Sequence, residues 1–126
     1  MITVKIIRGV ELENKVMPDG RTVKNYFSYK VNFETKNIGL KTTVVPKGTK
    51  ERDHLHSRSD EIFYYFSKAK AMVNGKVYRF EPGDVLILHA NDWHHQIPDE
   101  NDIEILALKV PDEDDKVDTD EDSQEK

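Results

Sequence analysis

The sequence predicts an all-β fold, on three observations. Residues of high strand propensity, Val, Ile, Tyr, Phe and Thr, gather in short runs of strand length. Turn-forming residues punctuate those runs. No window of about eleven residues keeps the i, i+3, i+4, i+7 apolar spacing of an amphipathic helix.

The runs lie at residues 2–8, 26–33, 38–46, 61–66, 69–73, 76–80, 85–88 and 103–110. Between the first two, residues 11–25 are too polar to assign, although Pro18, Asp19 and Gly20 form a turn cluster. The run 61–66 is apolar on both faces, so both faces call for cover. If Glu61 faces inward, Phe63 and Tyr65 share its side and Ile62, Tyr64 and Phe66 take the other. Runs 69–73 and 76–80 flank Asn74–Gly75, a strong hairpin signal, because both central residues of a type I′ turn need positive φ. Pro82, Gly83 and Asp84 make the next turn. Many short strands with regular turns predict a sandwich or a barrel.

Charge divides the chain in two. Residues 111–126 hold nine of the 24 acidic residues and two of the 19 basic ones, so the net −5 splits into an end at −7 and a body at about +2. Val117 is the only aliphatic residue in that end, and its like charges repel. The sequence therefore predicts one domain over residues 1–110 and a disordered acidic tail over 111–126. Neither part carries the basic patch of a nucleic-acid binder. The longest apolar run, Ile62 to Phe66, is far short of the roughly 20 residues of a membrane-spanning helix. Without cysteine there is no disulfide framework, thiolate nucleophile or zinc ribbon. The N-terminus has no apolar stretch resembling a signal peptide, and a cytoplasmic location is expected.

All five histidines fall between positions 54 and 95. In a strand, residues i and i+2 face the same way, so His54 and His56 can offer two imidazoles to one metal. Glu61 starts an apolar run, where a carboxylate is poorly placed unless a cation satisfies it. His54 and His56 alone are weak evidence for a site, since such pairs recur on protein surfaces.

The framing is more specific. Gly48, five residues, His54, one, His56, four, Glu61 reproduces a motif of glycine, five residues, H-x-H, three or four residues, glutamate. Gly83, five residues, His89, one, Asn91, two, His94 reproduces the spacing of its companion motif. These are the two motifs of the cupins, and the sequence resembles a small single-domain cupin over most of residues 26–110. It departs at Lys68, His89 and Asn91, where the motifs have glycine, proline and glycine. Asn tolerates positive φ better than most residues.

The resemblance implies a double-stranded β-helix, or jelly roll, in which His54, His56, Glu61 and His94 hold one divalent metal ion. Mixed N and O ligands suit Fe, Mn, Co, Ni, Cu or Zn. The outer face at Ile62, Tyr64 and Phe66 calls for a second sheet layer or a dimer partner, and a homodimer is expected, as the resemblance also implies. His95 faces away from His94 and is read as outside the ligand set. Gln96 shares the face of His94. Trp93 is expected at the rim and His89 in a loop, and Arg52 is expected to be solvated. The function implied is a metal-dependent enzyme acting on a small organic molecule, a dioxygenase or an isomerase or lyase, with Tyr65 or His89 handling a proton. The alternative is a non-catalytic ligand-binding or sensor module that holds a metal. A structural protein is disfavoured, because all four ligands are present.

Overall fold

The computed structural model describes residues 5–28 and 37–119. Its strands are β1 (Lys5–Ile7), β2 (Lys15–Val16), β3 (Thr22–Val23), β4 (Gly39–Val45), β5 (His54–His56), β6 (Asp60–Tyr65), β7 (Ala69–Val73), β8 (Lys76–Phe80), β9 (Val85–Leu88), β10 (His94–Gln96), β11 (Ile103–Val110) and β12 (Lys116–Asp118). A single 3₁₀ turn, Gly9–Glu11, is the only helical element among the described residues. Among the described residues, no helix is long and apolar enough to cross a membrane.

Two five-stranded antiparallel sheets face each other, ordered β1-β9-β6-β11-β4 and β12-β5-β10-β7-β8. A small hairpin, β2–β3, stands apart. The interior is lined by alternate residues of each strand. Phe63 and Tyr65 of β6, Ala71 and Val73 of β7, Phe80 of β8, Leu86 and Leu88 of β9, and Ile103 and Ile105 of β11 form one buried cluster. Tyr65 is wholly buried and stacks on Phe80 with ring centroids 4.4 Å apart. Asn74 (φ 50°) and Gly75 (φ 80°) make the positive-φ turn between β7 and β8 that the sequence predicts.

Three expectations need correction. The outer face of β6 is covered by the chain itself. Ile62 is buried in a second cluster with Val85 and Ile87, against which Ile7, Tyr26 and Phe27 pack, and only Phe66 is left exposed. The predicted run 26–33 forms no strand at residues 26–28, and its remainder lies outside the described residues. The third correction concerns the acidic end. Far from being loose throughout, it is built into the second sheet as far as β12, which pairs antiparallel with β5: Lys116 faces His56, Val117 faces Leu55 and Asp118 faces His54. Asp115 is buried. Charge composition could not reveal this, because the segment is held by donors that other parts of the chain supply. Residues 120–126 lie outside the described residues.

Candidate metal centre

The site lies between the two sheets. β5 and β10 are neighbours in one sheet, and their register sets His94 opposite His54. His56 shares the inward face of His54 two residues on. Across the interior, Glu61 enters from β6. One ring nitrogen from each of His54, His56 and His94 lies within 4.8 Å of the others, a grouping that could hold a metal ion. Glu61 Oε1 stands 3.0 Å from His56 Nε2 and 3.2 Å from His94 Nε2.

The ring orientations follow from what holds the other nitrogens. His54 Nδ1 lies 2.9 Å from the carbonyl of Arg52, and His94 Nδ1 lies 2.9 Å from the carbonyl of Asp92. A carbonyl only accepts, so each Nδ1 carries the hydrogen and each Nε2 keeps its lone pair. His56 Nδ1 instead faces the Asp115 carboxylate at 3.1 Å. Glu61 Oε1 and His94 Nε2 are both buried without a hydrogen-bond partner, although they stand 3.2 Å apart. Unsatisfied buried polar atoms are rare and call for an occupant.

Electrostatics reflects this crowding. Burial, and then the nearby His94, lower the pKa of His54 to about 4. Glu61 beside it raises that of His56, against the opposing effect of burial. Burial pushes the Glu61 carboxyl up, but His56 and His94 outweigh it and bring it to about 2.

A cavity of about 150 Å³ opens beside these groups. Val45, Phe63, Ile105 and Ala107 give it apolar walls, and Lys41, Thr43, Glu51 and Gln96 give it polar ones. Gln96 Oε1 accepts from the Tyr65 hydroxyl at 3.1 Å, and the Gln96 backbone N–H donates to Glu51 at 2.8 Å.

The remaining sequence candidates fall outside. Tyr65 is sealed in the core, and burial pushes its phenol well above the ordinary range, so it is no ready proton donor or acceptor for the cavity. His89 is exposed and lies beyond β9, with Nδ1 3.6 Å from Asp60. His95 turns away from His94 and pairs with Asp53 at 2.9 Å. Trp93 is half-buried, and so is Arg52, which was expected to be solvated. Asn91 adopts φ 73°, which explains how it replaces glycine. Lys41, Thr43, Glu51 and Asp115 were missed. On β4, Lys41 and Thr43 line the cavity while staying exposed, so they give no apolar alternation to read, and Asp115 is hidden in a run of like charge.

No protein-family model matches the sequence, and no curated protein matches it. Solved structures do. A cupin protein from Bacteroides fragilis aligns at TM-score 0.55 and 18% identity, over 73% of this chain and 89% of its own. A conserved protein with a double-stranded β-helix domain from Klebsiella pneumoniae aligns at TM-score 0.61 and 17% identity, over 71% and 81%. This chain has a cupin-like double-stranded β-helix fold. Among the similar structures is also a salicylate 1,2-dioxygenase from Pseudoaminobacter salicylatoxidans, at TM-score 0.53 and 12% identity, over 58% of this chain and 21% of that one. At these identities the likeness to its neighbours is one of fold. Its chemistry has to be argued from its own residues.

Proposed function

We propose that the chain binds one divalent metal ion through His54, His56, Glu61 and His94 and acts on a small organic molecule in the adjoining cavity. The observation that carries this reading is the convergence of buried, unpartnered Glu61 Oε1 and His94 Nε2 with two further imidazoles. The residues fit such an ion. Neighbouring ligand atoms of a six-coordinate ion with bonds of about 2.1 Å stand roughly 3 Å apart. The Glu61 oxygen is 3.0 and 3.2 Å from two imidazole nitrogens. Three neutral imidazoles and a carboxylate suit Fe, Mn, Co, Ni, Cu or Zn.

When bound, the ion supplies Lewis acidity and a template for orienting substrate. The chain's own residues do the rest. Val45, Phe63, Ile105 and Ala107 take up a carbon skeleton and exclude water. Because Gln96 Oε1 is engaged by Tyr65, the amide nitrogen is the group left to donate to an oxygen of the substrate. Lys41 lines the cavity, with its exposed ammonium 3.9 Å from the Asp112 carboxylate. The substrate class is thus a small, oxygen-bearing organic molecule. A dioxygenase stands among the structural neighbours, and an isomerase or lyase needs the same Lewis acid, so both reactions belong to the reading.

One observation favours a second reading, a module that captures its ligand without chemistry. Neither Tyr65 nor His89, the residues nominated from sequence to move a proton, reaches the cavity. The test is elemental analysis of the purified protein, followed by oxygen uptake and product analysis with metal-loaded protein and a panel of small diketones, phenols, hydroxy acids and sugar phosphates. Oxygen consumption supports the dioxygenase, and product without oxygen the isomerase or lyase. Ligand binding without turnover supports the second reading. Absence of metal uptake across all six ions overturns the site.

A further inference from the structure

We propose that Asp115, delivered by the segment leading into β12, is a positioning residue of the metal centre that fixes the tautomer of His56. The inference rests on the metal reading above, and deepens it. Asp115 does not reach the ligand atoms. It acts on the far side of one imidazole.

The Asp115 side chain is wholly buried, and both of its oxygens are fully engaged. Oδ1 receives Lys109 Nζ at 3.0 Å and faces His56 Nδ1 at 3.1 Å. Oδ2 accepts the backbone N–H groups of Arg58 and Ser59, each at 2.8 Å. An ionised carboxylate has about four acceptor sites and no donor. Three are taken by groups that can only donate. The fourth can be satisfied only if His56 Nδ1 carries a hydrogen. That places the lone pair of the neutral ring on Nε2, the nitrogen that stands 3.0 Å from Glu61 Oε1. A carboxylate in this position also increases the basicity of the ligating nitrogen.

The other two histidines need no such help from afar, because each takes its orientation from a carbonyl two residues earlier in its own strand entry. His56 takes its orientation from a residue 59 positions on. The segment that carries Asp115 is anchored accordingly. Ser59 Oγ donates to the Pro111 carbonyl at 2.6 Å, Ser57 N–H donates to the Asp115 carbonyl at 3.1 Å, and β12 then pairs along β5. The chain that holds the carboxylate is hydrogen-bonded to the strand that holds its target, so the two are fixed in register.

The experiment uses the full chain with zinc as the probe. In protein labelled with ¹⁵N at histidine, long-range ¹H–¹⁵N correlation reads which ring nitrogen of His56 bears hydrogen, and competition with a chromophoric chelator gives the zinc affinity. The zinc-loaded wild type is expected to show hydrogen on His56 Nδ1 and zinc on Nε2. In Asp115→Asn, the amide can present N–H groups to Nδ1. Zinc affinity should fall by about 10–100-fold, and the metal-free His56 should shift toward the Nε2–H tautomer while His54 and His94 keep theirs. A purely structural role would leave that tautomer unmoved. A wild type with zinc on His56 Nδ1 overturns the proposal whether or not the variant folds, and so does a folded Asp115→Asn protein of unchanged affinity. Both of those outcomes leave the metal site standing. A wild type that takes up no zinc and no other divalent ion overturns the site and this proposal together.

Discussion

The two halves of the barrel interior share β6 and obey opposite rules. Around Tyr65, Phe80, Leu86 and Leu88 the packing is apolar, and the one buried hydroxyl has an acceptor in Gln96. Four residues back along β6, around Glu61, the interior holds three imidazoles and a carboxylate, with two polar atoms unpartnered. One half lowers the free energy of the fold by removing apolar surface from water. The other forgoes part of that gain and keeps donor atoms converged. The comparison teaches that the polar half is affordable only because its neighbours in the same sheet are so well packed.

The sharpest way to break the comparison is to remove a ligand. His94→Ala should weaken metal binding by more than the roughly 10–100-fold typical of losing a supporting group, because a donor atom itself is lost. His95→Ala should leave the metal content of dialysed protein unchanged, since that ring faces Asp53. Equal losses from the two variants would mean that the strand's facing is wrong.

The apolar half should respond in the opposite sense. Leu86 is wholly buried, and Leu86→Ala should cost about 2–5 kcal/mol in chemical unfolding, through lost transfer energy and the cavity left behind. Metal stoichiometry at saturation should be untouched. If Leu86→Ala lost metal while remaining folded, the two halves would not be separable.

Much of this division is legible in the sequence. The Asn74–Gly75 turn, the runs on either side of it and the apolar run of β6 announce the sheets. The spacing of His54, His56, Glu61 and His94 announces the polar half. What stays hidden depends on partners distant in the chain. Asp115 looks solvated among its neighbours, yet Arg58, Ser59 and Lys109 enclose it. Lys41 and Thr43 read as surface residues and are exposed, yet they also line the cavity. The outer face of β6 reads as an interface, yet Ile7, Tyr26 and Phe27 return to cover it.

A smaller effect follows from pH. Glu61, held at about 2 in the metal-free protein, is depressed below its ordinary value. Its contribution is present above that ordinary value and is lost as pH falls from about 4.5 toward 2. His54, held at about 4, is depressed as well, so its protonation opposes the fold between about 6.5 and 4. His56 is raised, so what it contributes is fully present below about 6.5 and fades as pH rises through its folded value. Metal needs all three imidazoles without a proton on the ligating nitrogen, so protons displace it as pH falls. The drop in melting temperature on adding chelator should therefore be clear at pH 7.5 and nearly absent at pH 4.5. An equal drop at both would mean that other groups hold the ion.

The smallest effect is expected on the outer face of β6, where two residues of one strand side can be set against each other. Ile62 is 6% exposed under Ile7, Tyr26 and Phe27, whereas Phe66, just beyond the strand, is 50% exposed and touches Tyr64 edge-on at 5.4 Å. If the chain alone covers this face, Ile62→Ala should cost about 2 kcal/mol or more, in the range for buried aliphatic truncation. Phe66→Ser should stay within about 0.5 kcal/mol, as surface substitutions do. The homodimer that the sequence motifs imply makes a different forecast. A second copy seated on Phe66 would make the Phe66→Ser loss larger and dependent on protein concentration, because association adds to apparent stability by mass action. Melting curves at two protein concentrations about 100-fold apart, read beside sedimentation velocity, separate the two. A concentration-independent melt with only a 14.6 kDa species would leave the N-terminal segment as the sole cover of β6.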